Sequence, residues 1–113
     1  EKYFERVIHH EVFHIINDSF KKIFNEKKWS NFNSKTFIYA DCSTCTDKLN
    51  LNTYSKTNGF ITEYSQSTAS EDMAEVFSHL MVDSLPNEID PILQKKIEFI
   101  KKNLLKIDKN FIL

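Results

Sequence analysis

Residues 1 to about 27 contain no glycine and no proline, and their apolar side chains fall at three- and four-residue steps: Phe4, Val7, Ile8, Val12, Ile15, Ile16, Phe20 and Ile23. That periodicity predicts one long amphipathic helix, with Glu5, Lys21, Lys22 and Glu26 among its polar positions. Inside it stands His10-Glu11-Val12-Phe13-His14. On a helix, residues four apart share a face with their Cβ atoms about 5–6 Å apart. Both imidazoles can therefore reach one ion while Glu11 sits beside it. Two histidines flanking a glutamate in this way form the pattern of a zinc site that carries its own general base. The same spacing also occurs on an ordinary helix face, so the motif alone leaves both readings open. His9 projects about 100° away and is expected to be structural or exposed.

The rest of the chain punctuates itself. Residues 28–35 are turn-rich and should end the first helix. Thr36-Phe37-Ile38-Tyr39-Ala40 has the β-branched and aromatic content of a short strand. From Asp41 to about Gly59 the composition is polar and aperiodic, an ordered loop long enough to carry function. From its position it should border the cleft and shape specificity. Cys42 and Cys45 within it read as a local disulfide or inert thiols, because two further metal ligands and a strand–helix redox setting are both missing from the flanks. Gly59, the chain's sole glycine, implies a backbone turn at positive φ. Thr68 followed by Glu71 matches a capping pair, so a second helix is expected over about 69–83, with Met73, Ala74, Phe77, Leu80 and Met81 as its apolar stripe. Pro86 marks a break. Asp90-Pro91 then opens a third helix to about Leu105, with Ile92, Leu93, Ile97, Ile100 and Leu104 inward and lysines outside.

A chain of 113 residues holds one small domain, here 1–113. Its 15 basic and 16 acidic residues nearly cancel, which gives no electrostatic case for nucleic acid or anionic lipid. No apolar run approaches the roughly 18 residues of a membrane span, and no signal peptide is visible. Because the chain begins at Glu1, close to the motif, we expect an excised domain or processed fragment. Its richness in Lys, Asn and Ile fits an AT-rich, bacterial genome, and secretion is the favoured compartment.

A zinc site on two histidines needs a third ligand. The metzincin extension of the helix motif is excluded, since Asn17 stands at its glycine position and Phe20 at its last histidine. A thermolysin-like arrangement takes a glutamate from a later helix instead. Glu71 and Glu75 lie four apart on the second expected helix and can meet that need: one would bind metal, the other would accept a hydrogen bond from the far nitrogen of a ligand histidine. The bland alternatives are a capping glutamate and a solvated one. Three carboxylates in five residues, counting Asp72, beside an apolar stripe favour a compensated site facing the first helix.

His10-Glu11-x-x-His14, with Tyr64-x6-Glu71-x3-Glu75 in the context Gly-Phe-Ile-Thr-Glu-Tyr-Ser…Glu-Asp-Met-Ala-Glu-Val-Phe, resembles the gluzincin metallopeptidases related to anthrax lethal factor. It is also similar to bacterial zinc-binding metallopeptidases that share a Y…E-D-x-A-E pattern. The resemblance covers about residues 7 to 82. It implies His10, His14 and Glu71 as zinc ligands, Glu11 as general base, Tyr64 as transition-state hydrogen-bond donor and Glu75 as orienter of a ligand histidine. The implied cofactor is Zn2+ and the implied partner a protein or peptide substrate. The expected fold is mainly α: a zincin-like helical domain with an active-site helix, a glutamate-bearing helix and a C-terminal helix, and little or no sheet within this chain. The family ordinarily places a sheet before the active-site helix, and only nine residues precede His10, so that sheet is expected upstream or not at all. Two further functions fit the same sequence: a catalytically silent zincin-like zinc-binding or interaction module, and a helical interaction domain in which the motif is coincidental.

Overall fold

The computed structural model describes residues 2–54 and 58–111. Its first helix, α1 (Lys2–Ser19), stops well short of the expected residue 27. The chain turns through Phe20–Phe24, whose Ile23 and Phe24 amides both bond back to the Phe20 carbonyl, and Asn25 then caps a five-residue helix, α2 (Glu26–Ser30). No breaker residue causes this. The turn drives Phe24 and Trp29 into the interior, where neither keeps any exposed surface. Each such side chain stabilises the fold by roughly 1.5–3 kcal/mol, more than a continued solvent-side helix offers.

The buried face of α1 also differs from the apolar stripe. Phe4 and Ile15 are 64% and 67% exposed, and Val7, Ile8 and Val12 are exposed too. What α1 buries is His10, Phe13 and Asn17. Phe13 stacks edge-on against Phe24 and lies against Phe77, each at 5.1 Å between ring centres. His9, half-buried, meets the edge of Phe77.

The element that α1 packs on is α3 (Ala69–Met81), of whose 13 residues nine are buried. Thr68 caps it as expected, its hydroxyl accepting from the Glu71 amide. Met73, Ala74, Val76 and Phe77 join the core, and Leu80 and Met81 close its edge. The fourth helix, α4 (Pro91–Ile107), opens on Asp90 and Pro91 and contributes Leu93, Ile97, Ile100 and Leu104. One of its lysines is not outside: Lys96 is fully buried.

Thr36–Ala40 does not form the expected strand. Phe37 and Tyr39 turn inward onto the Phe60 ring instead, at 4.6 and 6.3 Å. Among the described residues extended pairing is confined to one antiparallel bridge, Thr53 with Thr62, beside a four-residue 3-10 turn, Glu63–Gln66. The fold of the described residues is mainly helical with no sheet, as expected. Cys42 and Cys45 are joined by a disulfide. Among the described residues no helix is long and apolar enough to cross a membrane. Gly59 has φ +89°, and a Cβ there would meet Ile92 Cγ2 at 2.5 Å, so the turn needs glycine twice over. Its amide donates to Asp90 and its carbonyl accepts from Lys96, which fastens the loop's end to α4.

Candidate metal centre

The crossing of α1 over α3 brings together side chains 61 and 65 residues apart. His10 Nε2 lies 3.2 Å from Glu71 Oε1 and 3.1 Å from His14 Nε2. His14 Nε2 also contacts Glu71 Oε1. One turn along α3, Glu75 Oε2 holds the far nitrogen of His10, Nδ1, at 2.9 Å. The other Glu75 oxygen accepts from the Thr62 hydroxyl at 2.8 Å. Tyr64, half-buried in the 3-10 turn, donates its hydroxyl to Glu71 Oε2. Glu11 is exposed at the rim, its carboxylate within 4.8 Å of the ring nitrogens of His10 and His14. All six residues expected at the site therefore converge on it.

The electrostatics follow from this crowding. Burial alone would lower the His10 pKa, but hydrogen bonds to Glu71 and Glu75 outweigh it and push it up to about 9. Burial would raise Glu71, yet its bonds to His10 and His14 hold it down at about 2. Glu75 is likewise held below the usual carboxylate range by His10 and Thr62 against its burial. The histidines they face thus favour the ionised form of both carboxylates.

Whether the donor set suits zinc can be tested on its own dimensions. Atoms about 2.0–2.1 Å from a shared tetrahedral ion stand about 3.3 Å apart. The distances from His10 Nε2 to His14 Nε2 and to Glu71 Oε1, 3.1 and 3.2 Å, fit that spacing, while His14 Nε2 and Glu71 Oε1 sit closer to each other than a shared ion would hold them. Two imidazole nitrogens that face each other need a cation or a proton between them, and each ring has its far side occupied. Glu75 serves His10 in this way, and His14 Nδ1 lies 3.2 Å from Ser70 Oγ. Two histidines and a carboxylate form the nitrogen–oxygen set that zinc takes in open sites.

A family model described as "Putative zinc-binding metallo-peptidase" matches residues 1–110. The chain belongs to that metallopeptidase family. No curated protein and no solved structure matches it. The zinc expected from the motif is thus the family's metal, and the His10-Glu11-x-x-His14 group is present in the structure. The finer likeness to lethal factor is not part of that match.

Three contributors were not read from the sequence. Ser70 lay in a run of capping side chains, where hydroxyls are commonplace, and Thr62 in an apolar and aromatic stretch that gave it no distinguishing signal. Asn17 donates to Ser70 at 3.3 Å and so steadies the His14 side. The sequence did hold a signal for Lys96, which stands three residues after Leu93 and four before Ile100, in the middle of an inward face. It pairs with Asp72 at 2.8 Å, and the same Asp72 oxygen accepts from Tyr39 at 2.6 Å and Trp29 at 3.1 Å. Burial pushes the Asp72 carboxyl up and the Lys96 ammonium down, each against the pull of the other's charge. Where Glu71 turns to the histidines, its neighbour Asp72 thus turns into the core and locks α3 to α2, α4 and the Tyr39 segment.

Proposed function

We propose that this chain is a gluzincin-type zinc endopeptidase that hydrolyses peptide bonds. In this reading His10, His14 and Glu71 hold the ion, Glu11 is the general base, Tyr64 is the oxyanion donor and Glu75 orients His10. One observation carries it: His10 Nε2, His14 Nε2 and Glu71 Oε1 meet within 3.2 Å from two separate helices, beside a cleft that Glu11 and Tyr64 both line. Zinc bound there would polarise the scissile carbonyl and bring the pKa of a bound water toward about 7.

The remaining work falls to the chain's own groups. The Glu11 carboxylate, free of the core and open to the cleft, takes a proton from the attacking water and returns it to the leaving amine. The Tyr64 hydroxyl donates to the oxygen on which negative charge develops, a contribution of about 2.7–4 kcal/mol for a well-placed donor. Glu75 accepts from His10 Nδ1–H, which fixes the tautomer that leaves Nε2 free to bind metal. Thr62 in turn holds Glu75.

Metal analysis of the dialysed protein tests the ligand set. One zinc per chain is expected in the native protein and in Glu11→Gln. His14→Ala and Glu71→Ala should lose it. Absence of stoichiometric zinc from the native chain, or full retention by Glu71→Ala, would overturn the assignment.

A further inference from the structure

The cleft beside the metal centre extends along α1 as one chamber of about 220 Å3, which His10, Glu11, Tyr64 and Glu75 also line. That is below the roughly 300–1,000 Å3 of a pocket for a drug-sized molecule, so it suits a side chain rather than a whole ligand. Its apolar wall is Val7, Leu49 and Leu51, and Arg6 lines it one helical turn before His10. The Arg6 guanidinium lies 3.5 Å from the Leu51 carbonyl and 5.2 Å from the Tyr3 ring centre, contacts that hold it in place without neutralising its charge. The wall is built into the same scaffold as the catalytic groups. Tyr64 donates its amide to the Asn50 carbonyl at 3.0 Å, between the two leucines, and the Thr53–Thr62 bridge lies just beyond. Two carboxylates also line the chamber: Glu75, engaged by His10 and Thr62, and Glu11, at the metal end.

We propose that this chamber is a substrate subsite that takes a carboxylate of the peptide on Arg6, with the methylenes below it packed on Val7, Leu49 and Leu51. The planar guanidinium fork suits bidentate pairing with a carboxylate, and a half-buried one gains more from it than a solvated lysine. The proposal rests on the peptidase reading in one respect, that a peptide enters this cleft. The carboxylate has two sources in peptides, an acidic side chain or the free C-terminus.

The test is peptide binding to zinc-loaded Glu11→Gln, which keeps the metal without cleaving. Acetylated, amidated hexapeptides of alanine would carry Glu, Gln or Lys at each position in turn, and a second set would have a free C-terminus. Binding is read by calorimetry. At one position Glu should bind about tenfold tighter than Gln, the size expected of one charge-assisted pair. If freeing the C-terminus gives that gain instead, the source is the terminal carboxylate. Arg6→Met in the same background should abolish the preference with zinc content unchanged, and Arg6→Glu should turn it toward Lys. Equal binding of Glu and Gln peptides with no gain from a free terminus, a preference that survives Arg6→Met, or no binding of any peptide would each overturn the subsite. The two readings fail separately. Cleavage by the native chain without an Arg6-dependent preference removes the subsite alone, whereas an Arg6-dependent preference without any cleavage removes the peptidase reading alone.

Discussion

Lys96 Nζ and Asp72 Oδ2 meet at 2.8 Å with no solvent-exposed surface on either side chain, directly behind the glutamate that reaches the histidines. Consecutive residues of a helix point about 100° apart, so one position of α3 serves the metal centre and the next serves the core. The ion pair thus anchors α3 in the core on the residue next to Glu71 without itself touching the histidines.

Removing one partner of that pair leaves an uncompensated buried charge. Lys96→Met should cost about 3–5 kcal/mol in urea unfolding of the zinc-loaded protein. The double variant Lys96→Met with Asp72→Leu should cost less than the two singles together, because it removes the stranded charge as well. A loss under about 1 kcal/mol for Lys96→Met would show the pair to be dispensable.

The orientation of α1 gives a paired prediction. Phe13→Ala should destabilise by about 3–5 kcal/mol, since the ring is fully buried between Phe24 and Phe77. Ile15→Ala, two residues on and mostly exposed, should stay within about 0.5 kcal/mol. Reversed magnitudes would mean that the apolar stripe is the buried one.

That pair of residues also marks where the sequence stopped being legible. The grouping of the site's helical residues was readable, because helix spacing puts His10 and His14 on one face and Glu71 and Glu75 on another, whereas Tyr64 entered only through the resemblance. The caps Thr68 and Asp90 and the glycine turn were readable for the same local reason. The rotation of α1 was not. Helical periodicity favours the side with more apolar residues, but α1 buries the side whose polar groups find partners: His10 with Glu71 and Glu75, and Asn17 with Ser70. Those partners lie more than 50 residues away, and only the fold supplies them. The expected strand at Thr36–Ala40 failed for a related reason. Its aromatics suit a sheet, yet Tyr39 is claimed by Asp72 and Phe37 by Phe60.

In the proposed reading Glu75 would act on zinc through His10, whose Nδ1 it holds at 2.9 Å. Glu75→Gln should weaken zinc binding about 10–100-fold while leaving one site per chain, as measured by competition with a chromogenic chelator. Thr62→Val should move affinity in the same direction by less, since it frees one Glu75 oxygen and leaves the other on His10. Unchanged affinity in Glu75→Gln would remove its orienting role.

The metal-free protein should have an asymmetric pH–stability curve. The His10 pKa, raised from 6.5 to about 9, gives stability that is fully present below pH 6.5 and lost as pH rises through 9. The Glu71 pKa, lowered from 4.5 to about 2, gives stability present above pH 4.5 and lost as pH falls toward 2. Melting followed with a chelator present should therefore decline above pH 6.5, by on the order of 3 kcal/mol in total. Zinc takes His10 deprotonated, so the loaded protein should not show that alkaline decline. A metal-free curve that stays flat to pH 9.5 would contradict the His10–glutamate pairing.

The most direct measurement is cleavage of a proteome-derived peptide mixture by the zinc-loaded native chain and by zinc-loaded Glu11→Gln, read by mass spectrometry of new termini. We expect cleavage by the native chain and a loss of about 10²–10⁴-fold in the variant at unchanged zinc content, the range for removing a general base. Equal cleavage by both proteins, or none by the zinc-loaded native chain, would contradict the account and leave a zinc-binding module without peptidase activity.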